Sequence, residues 1–178
     1  VDVAMSAGSS VSDMLTQLKE KALAASDTSL DTTSRTALNA DFTSIRDQIT
    51  KTLSNATFNG INLVDGTNSN ITALANSDGT GKITVAGQNM SLGGSIVTLA
   101  ATASFSTATS AANLLTTIDT SINNVSSSLA SLGTSSKALE NHASFVGKLQ
   151  DSITAGIGNL VDADMAKESA KLQALQTK

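Results

Sequence analysis

The sequence predicts a mainly α protein: an elongated antiparallel helical bundle or coiled-coil rod, with a small β-hairpin element in the middle of the chain. Three observations carry this. Between Ile118 and Leu160, apolar residues recur at steps of four and three: Ile118, Ile122, Val125, Leu129, Leu132, Leu139, Ala143, Val146, Ile153, Ile157 and Leu160, with Ser136 and Gln150 the polar positions on the stripe. A period near 3.5 keeps one stripe facing a partner helix and imposes a left-handed supercoil. Two shorter helical patterns precede it, and two β-type runs flank a glycine-containing turn between them. At about 1.5 Å per residue the stripe makes a helix of roughly 65 Å. A compact domain of this size has a radius of gyration near ~16 Å, so a rod is expected.

The elements follow in order. Val1 to Ala25 reads as a helix with Val11, Leu15, Leu18 and Ala22 on one face. Ser26 to Thr33 is a polar breaker rich in N-cap residues. Leu38, Phe42, Ile45, Ile49 and Leu53 mark a second helix, so residues 1–57 form a helical hairpin. Phe58-Asn59-Gly60 ends that helix and Asp65-Gly66 offers a turn. Ile71 to Ala75 and Lys82 to Ala86 are short β runs around Asp78-Gly79-Thr80-Gly81, the signature of a hairpin. Ser95 to Leu99 is expected as a third strand, which gives a small β region over 58–103. Ser104 to Ser110 is a small-residue linker, and the long helix runs to about residue 160. Gly156, Gly158 and the polar cluster Asp162 to Asp164 weaken helix beyond Leu160.

Composition narrows the function classes. The chain has 178 residues, a net charge of −4, one His and no Cys, Trp, Tyr or Pro. Without Cys there is no disulfide framework and no thiol chemistry. The negative charge argues against nucleic-acid binding. No apolar run approaches the roughly 18 residues of a membrane span. The chain starts at Val1 with neither Met nor a basic, apolar signal segment, and so reads as a piece of a longer protein. Between Thr52 and Ser136 the charged residues are Asp65, Asp78, Lys82 and Asp119 alone, which is compatible both with close packing of identical copies and with a neutral surface loop region; composition favours neither.

Specific residues resemble a known family. The segment Leu53-Ser-Asn-Ala-Thr-Phe-Asn-Gly-Ile-Asn-Leu-Val64 is similar to the bacterial flagellin motif in which a helix ends in Phe58-Asn59-Gly60 followed by an aliphatic pair. Leu160-Val-Asp-Ala-Asp-Met-Ala-Lys-Glu168 resembles the flagellin step of Asp162, Ala163 and Asp164 followed by Ala and Glu168. Leu15 to Ala22 sits where flagellins carry their first helix face. The motifs keep the family order, and the short Ser/Thr-rich centre resembles the reduced flagellins of some alphaproteobacteria. The resemblance implies a rod domain lacking the terminal helices that form the inner core of the filament, with 161–178 the start of the terminal segment. It also implies an extracellular structural subunit that self-assembles into the flagellar filament for swimming, exported by the flagellar type III route. Its partners would be other flagellin copies, an export chaperone and a cap. A hook-filament junction or adhesion protein of similar fold is the alternative.

The same resemblance bears on recognition by the Toll-like flagellin receptor. The family pattern pairs a basic residue with a Leu four positions later on the first helix, and adds a Glu on the second. Placed on it, this chain has Gln17, Lys21 and Asp41. Gln17 removes a charge-assisted hydrogen bond, and Lys21 brings an ammonium to a contact made for an aliphatic side chain. Weak or absent activation of that receptor is expected, and the same positions are expected at subunit contacts.

No enzymatic constellation stands out. His142 lies beside the stripe residue Ala143 and reads as a partly exposed helical side chain. Asp162, Asp164 and Glu168 lack the spacing of a Ca²⁺ loop and read as a solvated acidic turn. Gly79-Thr80-Gly81-Lys82 fails as a phosphate loop, because Asn76 stands where its first Gly belongs and Ile83 where its Ser/Thr belongs. Asn55, Asn70, Asn89 and Asn124 begin Asn-x-Ser/Thr triplets, a chance outcome in a chain this rich in Ser and Thr. No enzyme, cofactor, metal or membrane insertion is expected.

Overall fold

The computed structural model describes residues 1–74 and 81–176. Its element order is α1 (Asp2–Ala25), α2 (Thr32–Asn55), β1 (Thr57–Phe58), β2 (Ile61–Asn62), β3 (Asn70–Leu74), β4 (Lys82–Ala86) and α3 (Ala108–Gln176). The chain divides into two compact units, 1–137 and 138–178, and α3 contributes to both. The fold is mainly α, with two small antiparallel strand pairs.

In the first unit α1 and α2 form an antiparallel hairpin. Val11, Leu15, Leu18 and Ala22 are fully buried on α1, and Phe42, Ile49 and Leu53 are buried on α2. Leu38 and Ile45, one step to the side, are half-buried. Asp31 caps α2: its Oδ1 accepts from Ser34 N at 2.8 Å and its Oδ2 from Ser34 Oγ at 2.8 Å. These hydrogen bonds favour the charged carboxylate and hold Asp31 below its ordinary 3.8; Asp27 is lowered in the same way by Ser29. Arg35 closes the turn from the other side. It is buried, and it donates from Nε to the carbonyl of Ala25 (3.0 Å) and from Nη2 to those of Asp27 (2.8 Å) and Leu30 (3.1 Å). A single cation thereby binds the last carbonyl of α1 and two carbonyls of the turn that follows it.

α3 joins this unit through its first turns and its apolar stripe. Thr107 and Ser110 cap it reciprocally: Thr107 N donates to Ser110 Oγ (3.0 Å) and Ser110 N to Thr107 Oγ1 (3.1 Å). Ile118, Val125 and Leu132 are buried, whereas Ile122 and Leu129 are half-buried. Gly8 of α1 lies against Leu129: a Cβ there would stand 2.8 Å from Leu129 Cδ2 and 3.1 Å from Met90 Cε. Lys19 and Asp119 pair at 2.6 Å between α1 and α3.

The segment 91–105 wedges onto the helices. Phe105 meets Phe42 edge-on at 5.1 Å, its N–H donates to Asn39 Oδ1, and Arg46 Nη1 donates to the carbonyl of Ala103 at 2.7 Å. The strand expected at Ser95 to Leu99 is not formed. Gly93 N donates to Leu99 O (2.7 Å) and Gly94 N to Val97 O (3.1 Å), so the segment folds on itself. Thr98 N donates to Ser121 Oγ and Asn124 Nδ2 to Ile96 O, so α3 side chains supply what a neighbouring strand would have. Val97 and Leu99 are nonetheless fully buried, which explains their strand-like sequence. The expected hairpin of 71–86 is present as β3 and β4, in a register running from Asn70 opposite Ala86 to Leu74 opposite Lys82. Asp78, Gly79 and Thr80 of its turn lie outside the described residues.

The second unit is the helix itself. α3 does not weaken at residue 160 but continues through Gly156, Gly158 and Asp162–Asp164 to Gln176. Two glycines cost only about 1 kcal/mol each against Ala, and the acidic side chains point to solvent.

The depressed carboxylates set an acid dependence. Their contribution to stability is fully present above the ordinary value of 3.8 and is lost as pH falls through the lower folded-state value. Asp31→Asn keeps a side-chain oxygen at the cap but does not titrate. Thermal melts of the two proteins should therefore converge as the pH is lowered from about 5 to strongly acid conditions. A constant gap between the curves would show that the cap is not coupled to that proton.

Candidate interaction surface

The three positions read from the recognition pattern fall on the α1–α2 hairpin. Gln17 is exposed on α1. Lys21 is partly exposed, and its Nζ donates to Asp41 Oδ2 of α2 at 2.9 Å. The lone ammonium expected at Lys21 is thus an ion pair within the chain, joining two of the three positions. A pair this accessible adds little stability. Its effect is on the surface, which carries an ion pair at this point and not two separate charges.

Phe58-Asn59-Gly60 does more than end a helix. Asn59 (φ 51°) and Gly60 (φ 77°) both occupy the left-handed region, as a two-residue type I′ hairpin turn requires. They link β1 to β2 with Thr57 opposite Asn62 and Phe58 opposite Ile61. Phe58 is 65 % exposed. The group that fixes this corner is Asn62, which is buried and absent from the sequence-derived candidates. Its Nδ2 donates to Leu53 O at 2.6 Å, and its Oδ1 accepts from the N–H groups of Val64 (3.0 Å) and Asp65 (3.2 Å). One amide thus closes the C-terminus of α2 and shapes the chain after β2. The available signal was an Asn between two aliphatic residues directly after an Asn-Gly turn.

The remaining candidates lie on α3. Leu139 and His142 are half-buried. Val146 (44 %) and Ile153 (53 %) are exposed, contrary to the continuous core stripe expected of them, as are Ile157 and Leu160. Among the described residues the 138–178 unit contains one helix and no second element to cover its apolar positions. Asp162, Asp164 and Glu168 are exposed helical residues, not a turn, and Glu168 lies 3.7 Å from Lys171. Among the described residues no group of three His, Cys, Asp or Glu side chains could hold a metal, and no helix is long and apolar enough to cross a membrane.

These features describe a helical scaffold with an exposed side-chain stripe on one helix and a capped corner after another. Residues 1–69 match the bacterial flagellin N-terminal helical region and residues 115–178 the bacterial flagellin C-terminal helical region. The chain belongs to the bacterial flagellin family. It is 58% identical over all 178 residues to flagellin FljM of Caulobacter vibrioides, covering 64% of that protein, and 56% identical to FljO of the same organism over the same span. A flagellin of Brucella melitensis is 34% identical over 99% of this chain and 65% of its own length. The chain therefore spans about two-thirds of the length of these relatives. The crystal structure of Bacillus cereus flagellin superposes with a TM-score of 0.69 over 79% of this chain and 80% of that one; at 20% identity this is a likeness of fold.

Asn62→Ala removes the amide while leaving Ala56 N still bonded to Leu53 O. The N–H groups of Val64 and Asp65 lose their partner in a buried or half-buried setting, at a cost of about 1–3 kcal/mol. A shift of the denaturant midpoint of that size is expected, and a midpoint equal to that of the unsubstituted protein would contradict the role given to Asn62.

Proposed function

We propose that the parent protein is a non-enzymatic structural subunit of the extracellular bacterial flagellar filament, polymerising with other flagellin copies to make the helical filament that drives swimming. The observation that carries this, beside family membership, is the exposed stripe of α3. Val146, Leu149, Ile153, Ile157 and Leu160 recur at helical spacing on a helix that its own unit leaves uncovered. A stripe of that period is built to face another helix. Contacts between different surfaces of identical subunits do not close on themselves and so propagate as a helical polymer. Export by the flagellar type III route, an export chaperone that shields the stripe before assembly, and a filament cap complete the reading. Negative-stain microscopy of the purified full-length protein should show long helical filaments. Short, capped or strictly low-copy assemblies under polymerising conditions would overturn it.

The recognition surface is proposed to activate the Toll-like flagellin receptor weakly or not at all. Gln17 offers no charge, and the Lys21–Asp41 pair occupies the place of the aliphatic and acidic contacts. Breaking that pair beneath a partner leaves two charges to desolvate, which costs more than the pair returns. In a reporter-cell assay the monomeric full-length protein should be weakly active or inactive, and Gln17→Arg with Lys21→Leu should raise its activity. Full potency in the unsubstituted protein would sink this assignment.

A further inference from the structure

Asn59 is the one asparagine of the sequence that precedes a glycine. Glycine has no Cβ to shield its backbone nitrogen, and the side-chain carbonyl carbon of the residue before it lies within reach of that nitrogen. The fold leaves both atoms open. Asn59 and Gly60 are exposed, and among the described residues the Asn59 amide makes no hydrogen bond. A Cβ built on Gly60 would meet nothing within 4 Å. The pairs that hold the turn, Thr57 with Asn62 and Phe58 with Ile61, do not use the Gly60 nitrogen. So short a ribbon opens locally at little cost, which lets the Asn59 side chain turn onto that nitrogen. The neighbouring amides are tied down. Asn62 Oδ1 accepts from Val64 N (3.0 Å), Asn68 Oδ1 from Asn62 N (2.9 Å) and Asn89 Oδ1 from Ser91 N (3.0 Å). Asp65 also precedes a glycine, but its Oδ1 is held by Thr67 N at 2.9 Å and Thr67 Oγ1 at 2.6 Å. Gly66 is crowded as well, since a Cβ there would stand 2.6 Å from Asn89 Nδ2.

We propose that Asn59-Gly60 is a self-modification site, at which the folded chain converts Asn59 to aspartate or isoaspartate without an enzyme. The Gly60 nitrogen gives its proton to solvent and attacks Asn59 Cγ. The new N–Cγ bond closes a five-membered succinimide, the Cγ–Nδ2 bond breaks, and ammonia leaves. Water then adds to one of the two ring carbonyls. Addition at Cγ breaks the new bond and gives aspartate. Addition at the main-chain carbonyl breaks the original peptide bond and gives isoaspartate, with the main chain now running through Cβ and Cγ. One water is consumed for each ammonia released, and nothing is oxidised or reduced. The two products act differently on the corner. Aspartate tolerates the left-handed conformation held at φ 51°, so the hairpin keeps its shape and gains a negative charge beside exposed Phe58 and Ile61. Isoaspartate puts an extra atom into a two-residue turn, and the pairing of Thr57 with Asn62 and Phe58 with Ile61 cannot be kept in register. The inference does not depend on the filament reading.

The test is a warm incubation of the purified full-length protein in mildly alkaline buffer, with a parallel sample in denaturant. Peptide mapping by mass spectrometry locates each amide lost, and an isoaspartyl methyltransferase reports the isoaspartate. In the folded protein Asn59 should lose its amide first, while Asn62, Asn68 and Asn89 keep theirs. Anion exchange should resolve the products by their added negative charge, and conversion should quicken as pH rises, because the attacking nitrogen must give up its proton. The isolated isoaspartate form should melt below the fresh protein. The Asn59→Asp variant, made directly, should melt with the fresh protein and yield no modified asparagine in that peptide. An Asn59 amide that survives in the folded chain but is lost in denaturant overturns the inference, since the hairpin would then protect it. Loss at Asn62, Asn68 or Asn89 at the same pace in the folded protein overturns it too, because the fold would then make no selection. An isoaspartate form that melts with the fresh protein would contradict the effect assigned to the turn.

Discussion

A helix whose apolar residues recur at three and four positions must find a surface to cover them, and this requirement organises the molecule. On α3 it is met within the chain only as far as the 1–137 unit extends. Ile118, Val125 and Leu132 are buried there, with the α1 side chains and the segment 91–105 supplying the surroundings. Between Val146 and Leu160 the same stripe is exposed. One pattern thus has two settings: its first part lies in a core, and its second part is exposed in the 178-residue chain.

The rest of the first unit is concerned with polar ends. A short helical hairpin exposes as many unpaired backbone groups as a long one, and here they are met by side chains brought from elsewhere. Arg35 collects three carbonyls at one end of the α1–α2 hairpin and Asn62 bridges the other. Ser121 and Asn124 of α3 satisfy a loop that runs past them. These groups fix the Phe58 corner at one end of the hairpin and the turn nearer the Lys21–Asp41 pair at the other. A subunit that is to add repeatedly in one geometry needs such corners fixed before it meets its neighbour.

What could be read from the sequence was what depends on local spacing. The faces of α1 and α2, the start of the long helix, the β3–β4 hairpin and the Phe58-Asn59-Gly60 break all follow from period and turn chemistry. The misreadings share a cause. Ser95 to Leu99 carries a strand's composition because Val97 and Leu99 are buried, but burial in a folded loop selects the same residues as burial in a sheet. Gly156 and Gly158 have the composition of a helix break, but their cost is small against a helix this long. Val146 and Ile153 continued a true period, and a period cannot say whether its partner lies in the same chain. Arg35, Asn62 and the Lys21–Asp41 pair depend on groups brought together only by the fold, so no spacing announced them.

The central claim is that α3 changes character along its length in this chain, from a helix with a buried stripe to a helix with an exposed one. Hydrogen exchange on the 178-residue chain in dilute solution tests this most directly. Amides from Ala111 to Leu132 should exchange slowly, and protection should fall away after Ala138 along Val146 to Leu160. Equal, strong protection of both stretches in the monomer would contradict the account, because the second stripe would then already be covered.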